Sequence, residues 1–176
     1  MLLRWNAAAI AAACLMGCAT LAQAAGPAPT DPQIAHIAYT AGALDVAVAK
    51  QALKKTKSKE VKAFANDMVR DHEAVNKQAL ALVKKLKVTP EDNDTSRALT
   101  RQIKDEQAKL AKLKGKAFDK AYIDHEVAYH KTVNGALTST LIPSAHNAEL
   151  KSFLETGLKI FQGHEQHAEH VAADLK

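Results

Sequence analysis

This sequence of 176 residues contains only two cysteines, Cys14 and Cys18, and both lie near its start. The remainder of the chain can form no internal disulfide, and it contains neither a Cys-x-x-Cys-His haem motif nor a cysteine nucleophile. Stability must therefore come from side-chain packing, and a chain of this length is large enough to build one hydrophobic core.

Glycine and proline are also scarce, with seven and five residues. The alternation of apolar and polar residues that is typical of strands is absent throughout, which predicts an all-α chain. Four glycines fall inside predicted helices, where each costs about 1 kcal/mol relative to alanine. We expect them to allow close helix packing, and the alternative is that they leave room for a ligand near the histidines. The four glycines are Gly42, Gly135, Gly157 and Gly163. No glycine-rich phosphate loop is present.

Excess charge is small, with a formal net charge of +5 from 24 basic and 19 acidic residues. Aromatic residues make up only 5% of the chain and most basic residues are lysines, which argues against nucleic-acid binding. Mixed charges of this kind are typical of solvated helix surfaces. Lysine concentrations at 54–62 and 109–120 leave a second interpretation open, attraction to an anionic envelope surface.

Residues 1–24 resemble a secretory signal peptide. Arg4 provides the basic start, residues 7–17 provide an apolar run too short to span a bilayer, and Ala22-Gln23-Ala24 is a small-residue cleavage pattern. We therefore predict a periplasmic product after cleavage near Ala24. The alternative is a lipoprotein anchored through Cys18, since residues 15–18 resemble a lipobox, although the apolar residues after Cys18 favour the soluble product.

After a linker at 25–32, one domain is predicted at 33–176, with helices recognised from apolar residues at spacings of three and four. Ser58 and Asn147 are predicted N-caps, and Pro143 is predicted to end a helix. The expected helices span about 32–54, 58–87, 94–114, 116–140 and 147–175. The third is strongly charged and about 30 Å long, which suits a connection along a bundle. Two hairpins joined in this way predict a ferritin-like antiparallel four-helix bundle with an extra connecting helix between helices 2 and 3.

Each of the four bundle helices has one ionisable residue on its apolar stripe near its midpoint: Asp45, His72, His130 and His164. Midpoints of antiparallel helices lie at similar heights, so these side chains are expected to converge. Three imidazoles and one carboxylate suit a first-row transition metal ion. Supporting polar groups are predicted at Asp71, Tyr122, Glu126 and Glu165.

A metal-free interpretation also stands, in which Asp45 pairs with His72 and Glu126 with His130 to satisfy the buried groups. The paired Glu-x-x-His motifs of di-iron bundles are missing, because Val69, Val127 and Phe161 precede the three histidines by three residues. Ferroxidase activity is therefore unsupported. A weak surface metal site is predicted where His167 and His170 follow His164 at intervals of three.

Three groups of residues form a spaced pattern along the chain: Phe64-Ala65-x-x-Met68-x-x-Asp71-His72; Phe118-Asp119-x-x-Tyr122 with His130; and Leu158 with His164. This pattern resembles a bacterial family of ferritin-like exported proteins, a domain of unknown function often labelled predicted outer membrane protein. The resemblance covers about 33–175 and implies a ferritin-like bundle in the cell envelope, without implying a reaction. Two positions depart from the family pattern. Asp45 replaces a glutamate, which shortens its reach, and Lys159 replaces a proline, which predicts a straighter last helix.

The sequence thus predicts an exported bundle of unassigned activity that binds a transition metal ion at an internal histidine and carboxylate site. No catalytic residue is assigned. The alternative is a metal-free envelope interaction or stress-protection module acting through its lysine-rich surface, and a third hypothesis is a metal-dependent redox enzyme.

Overall fold

A computed structural model describes residues 27–175, and all regular secondary structure within this range is helical. The predicted signal peptide and the lipobox cysteine lie outside the described residues. Five long helices and one short helix follow in order: α1 Asp31–Lys55, α2 Lys59–Leu86, α3 Asp94–Lys112, α4 Gly115–Ala136, α5 Ile142–Ser144 and α6 Ala148–Asp174. None of the described helices is both long enough and apolar enough to cross a membrane.

Local capping residues set the ends of several helices. The side chain of Ser58 accepts a hydrogen bond from the Val61 amide at the start of α2, and the side chain of Asn147 accepts from the Glu149 and Leu150 amides of α6. Both residues satisfy N–H groups that have no partner within the helix. The predicted caps at these two positions are confirmed, and α6 runs without interruption through Lys159.

The predicted end of the fourth segment is only partly right. Instead of one helix to position 140, α4 passes into a π-helical turn, Leu137–Leu141, and then into α5. The Ile142 amide bonds to the Leu137 carbonyl, five residues back, which is the spacing of a π-helix. Pro143 lies within α5, one residue before its end. This wider turn has no simple signature in apolar spacing.

Contacts between helix ends fix the chain directions. The Asp31 carboxylate accepts hydrogen bonds from the His146 and Asn147 amides, so α1 and α6 begin at the same end. At the opposite end, the Lys55 ammonium donates to the Leu110 and Ala111 carbonyls, so α3 runs parallel to α1. The helices α2 and α4 run in the opposite direction. The connecting helix α3 carries the chain back along the bundle, from the end of α2 to the start of α4.

Two apolar clusters lie at different heights in the bundle. The larger one, around Phe64, Ile103 and Phe118, occupies the end where α1 finishes, and the smaller one, around Ile34 and Leu150, occupies the end where α1 begins. The midpoints of α1, α2, α4 and α6 lie between these clusters. Polar groups at the midpoints are therefore shielded from water on both sides.

Candidate metal centre

The four polar residues at the helix midpoints are buried together. Asp45 and His130 are each 1% exposed, His72 is 3% exposed and His164 is 6% exposed. Their apolar neighbours along each helix turn these side chains inward, because the stripe that faces the core includes them. The structure therefore brings together the four residues that the sequence indicated.

The three imidazoles face one another. Ring centroids are 5.8 Å apart for His72 and His130, 5.2 Å for His72 and His164, and 5.5 Å for His130 and His164. One nitrogen from each ring lies within 4.8 Å of the other two. A point equidistant from three atoms at that limiting separation lies about 2.8 Å from each, compared with about 2.0–2.1 Å for a zinc–nitrogen bond. Inward movement of less than about 1 Å per ring would close the site on a metal ion.

Asp45 provides a carboxylate beside these rings. Its Oδ2 atom lies 3.0 Å from Nε2 of His72 and 3.6 Å from Nε2 of His130. Neither contact has hydrogen-bond geometry, and both Asp45 carboxylate oxygens are buried without a hydrogen-bond partner among the described residues. Burial raises the pKa of the Asp45 carboxyl, but the neighbouring histidines, His72 first, outweigh it and hold the pKa below its usual value. Asp45 is thus an anion beside the His72 and His130 rings.

Two of the rings are held from outside. The backbone carbonyl of Glu126 lies 3.0 Å from Nδ1 of His130, and the Asp71 carboxylate lies 3.0 Å from Nε2 of His164. Each acceptor fixes a proton on the outer nitrogen, which leaves the other nitrogen of that ring free to bind a metal ion. His130 Nε2 and His164 Nδ1 are indeed buried with no hydrogen-bond partner in the described part of the chain.

Burial keeps the His130 and His164 imidazoles neutral near pH 7. Loss of solvation lowers the pKa of His130, although Asp45 opposes this effect. The same loss lowers the pKa of His164 to about 4, against the opposing hydrogen bond to Asp71. Neutral imidazole is the form that coordinates metal ions.

A second group of ligand atoms adjoins the first. Asp45, Glu126 and His130 also place one donor each within 4.8 Å of one another. Glu126 is completely buried, and its Oε2 atom lies 3.6 Å from Nδ1 of His130. Burial, reinforced by the charge of Asp45, raises the pKa of the Glu126 carboxyl well above its usual value.

The other predicted supporting residues differ in position. Tyr122 is fully buried, with its hydroxyl near Glu126 but without a hydrogen-bond partner among the described residues, and burial raises the pKa of its phenol. Glu165 points to Asn134, whose Nδ2 atom donates to it at 2.7 Å. Glu165 therefore borders the cluster without contacting a ring nitrogen.

The histidines of the predicted surface site separate from one another. His164 turns inward, His167 lies 3.9 Å from the Asp67 carboxylate, and His170 lies 3.7 Å from Asp174 with its side chain 76% exposed. Within residues 27–175, no group of three clustered ligand atoms includes His167 or His170.

Sequence reasoning missed two contacts of the cluster. The Phe161 ring stacks on His72, with centroids 4.7 Å apart and planes 6° apart. Arg70 holds the Asp71 carboxylate through two hydrogen bonds, of 2.7 and 2.9 Å. Phe161 was visible as a stripe residue one turn before His164, whereas the role of Arg70 depends on the packing of α2 against α6.

These features define a helical-bundle protein with a buried cluster of three histidines and carboxylates. The family model described as a domain of unknown function (DUF4142) matches residues 17–171, and the chain belongs to this family. The prediction of an uncharacterised domain family is thereby confirmed. Neither the curated proteins nor the solved structures contain a significant match.

Proposed function

We propose that this chain is a ferritin-like bundle of the cell envelope that binds one first-row transition metal ion through His72, His130, His164 and Asp45. The observation that supports this most strongly is the pairing of held outer nitrogens with free inner nitrogens. If the histidines were only structural, the fold would lose about 1–3 kcal/mol for each buried polar atom that has no hydrogen-bond partner. A bound metal ion would provide a partner for several of these atoms.

The metal-free alternative explains the same contacts but leaves several buried polar atoms without partners. Asp45 and His72 do lie together, and so do Glu126 and His130, as that alternative requires. However, the Asp45 oxygens, the Glu126 carboxylate oxygens and His130 Nε2 have no hydrogen-bond partner in the described residues. A metal ion would engage several of these atoms at once.

The ferritin-like part of the proposal is supported by chain direction. Two hairpins, α1 with α2 and α4 with α6, are joined by a connection that returns along the bundle, as a single long crossover does in that architecture. Export is supported by the features of residues 1–24, and sequencing the N-terminus of the protein from an envelope fraction tests it.

Metal analysis tests the central proposal. The protein is purified without a nickel column, and its metal content is measured by plasma mass spectrometry. We expect about one transition metal ion per chain, and we expect the variants His72→Ala and His130→Ala to lose it while remaining folded by circular dichroism. His170→Ala is the matched control, because this exposed side chain lies outside the cluster.

Cobalt titration provides an independent measurement. Stoichiometric Co²⁺ should give the visible absorption bands of a nitrogen-ligated ion, absent in the His130→Ala variant. Wild-type protein that contains no stoichiometric metal and takes up none from Zn²⁺, Cu²⁺, Fe²⁺ or Co²⁺ would leave the cluster as a structural network and overturn the proposal.

A further inference from the structure

A cavity of about 660 Å³ lies beside the histidine cluster, toward the end where α1 and α6 begin. All five long helices contribute to its wall, through residues such as Ile37, Val75, Leu99, Val133 and Leu154. Protein interiors are usually packed with few voids larger than a water molecule, whereas small-molecule sites have volumes of about 300–1,000 Å³. The size of this space is therefore that of a ligand site.

The sequence itself creates the space. Small residues occupy positions on the cavity wall where bundle helices usually place leucine or isoleucine: Ala38, Ala41, Ala79 and Gly157. The π-helical turn adds Leu137 and Leu141 to the same wall. Such turns are rare in proteins, and many of those that are known lie at functional sites. A backbone irregularity and a run of small side chains thus coincide at one place in the bundle.

The cavity is apolar inside and polar at one side. Its inner end is formed by Phe161, the residue that stacks on His72. Its solvent side carries the exposed residues Thr95, Thr132 and Thr140, from α3, α4 and the π-helical turn. The wall extends along α1 from Gln33 to Ala41, which corresponds to about 12 Å of helix.

Charge limits the class of ligand. Asp94 is the one charged residue among the described residues that line the cavity, and its carboxylate is paired with the Arg97 guanidinium. No lysine, arginine or histidine of the described chain lines this space, so phosphate groups and multiply charged ligands have no counter-ion here. An elongated aliphatic group fits the apolar wall, and a small polar head group without multiple charges fits the exposed side.

We propose that this cavity binds a single-chain amphiphile, with its aliphatic chain between α1, α4 and α6 and its head group at the exposed side, near Thr140. The four residues of the metal cluster do not line the cavity, so this inference stands whether or not a metal ion binds. Burial of an aliphatic chain here would stabilise the complex in proportion to the apolar area removed from water.

The test uses delipidated protein and two probes, dodecanoate and 1-monododecanoylglycerol, in isothermal titration calorimetry. We expect saturable binding of one molecule per chain for at least one probe, and the tighter probe distinguishes a free fatty acid from a monoacylglycerol as the source of the chain. Butyrate, which has the same head group as dodecanoate, should not bind measurably.

Variants that fill the cavity locate the binding. Gly157→Leu and Ala38→Leu each place a larger side chain in the space, and each should weaken binding at least about tenfold. Gly135→Leu is the matched control, because Gly135 lies within α4 away from the cavity, with open space around it. This variant should bind like wild type.

Photolabelling keeps the test decisive if a filled variant fails to fold. A diazirine analogue of dodecanoate should label wild-type peptides that contain the cavity wall of α1, α4 or α6, and unmodified dodecanoate should compete. The absence of saturable binding by both probes, labelling confined to outer helix faces, or equal affinity in folded filled variants would overturn the proposal.

Discussion

The Nε2 atom of His164 on α6 lies 3.0 Å from the Oδ2 atom of Asp71 on α2. This contact joins the two hairpins and determines which His164 nitrogen carries the proton. Arg70 holds the same carboxylate from the solvent side, and its guanidinium, followed by His164, keeps the pKa of Asp71 below its usual value. Asp71 is therefore a charged acceptor that orients the ring without reaching the centre of the cluster.

Replacement of Asp71 should weaken metal binding without removing a ligand. We expect Asp71→Asn to lower metal affinity by about 10–100-fold, as is usual for the loss of a carboxylate that orients a ligating histidine. Competition titration with a chelator of known affinity measures this change. Asp67→Asn is the control, because Asp67 also contacts Arg70 but does not contact His164. Equal losses in both variants would contradict the orienting role.

Acid should destabilise the metal-free protein partly through His164. Burial lowers the pKa of its folded state to about 4 from an ordinary value of 6.5, so the unfolded chain binds the proton more readily. The stabilisation from neutral His164 is complete above pH 6.5 and is lost as the pH falls toward 4. The full effect is on the order of 3 kcal/mol.

Urea denaturation between pH 4 and 7 measures the His164 effect. The difference in unfolding free energy between wild type and His164→Gln should shrink as the pH falls, because glutamine does not titrate. A difference that stays constant across this range would show that the His164 imidazole titrates normally in the folded protein.

Glu126 should have the opposite dependence. Its folded-state pKa is raised by burial, so its contribution to stability is complete below pH 4.5 and declines as the pH rises toward the folded-state value. Glu126→Gln, which resembles the protonated acid, should therefore gain stability relative to wild type between pH 4.5 and 8 in the metal-free protein. Chemical denaturation at both pH values measures this gain, and a difference between variant and wild type that does not change with pH would contradict a raised pKa for Glu126.

Two helical glycines should respond differently to alanine. A Cβ atom at Gly42 would lie 2.5 Å from Oδ1 of Asn76, whereas one at Gly135 would meet nothing within 4 Å. We expect Gly135→Ala to stabilise the protein by about 0.5–1 kcal/mol through helix propensity, and Gly42→Ala to give less or to destabilise. Thermal denaturation compares them, and adding Asn76→Ala should restore the gain at position 42.

Much of the fold was predictable because its signals are local. Caps at Ser58 and Asn147 and apolar spacings of three and four gave helix ends within a few residues. The predicted close packing holds at Gly42, where α2 approaches through Asn76, but the space around Gly135 and Gly163 is open. The π-helical turn at Leu137–Leu141 was not predictable from apolar spacing, since it changes the hydrogen-bond register without changing the composition.

The candidate site was predictable to the level of its four central residues, because their positions along each helix determine their height. Which nitrogen each ring presents was not predictable, since this depends on contacts between α2 and α6 such as Asp71 with His164. The stacking of Phe161 on His72 and the cavity beyond it depend in the same way on three-dimensional packing.

The division of the four central residues between the two hairpins has a consequence for assembly. Asp45 and His72 belong to the first hairpin, and His130 and His164 belong to the second, with α3 between them in the chain. Neither hairpin alone holds more than two of the four ligand residues, so an ion bound by all four would stabilise the contact between the hairpins only once they have docked. The ion concentration would then govern how often the two halves separate, and it would leave the local opening of each hairpin almost unchanged.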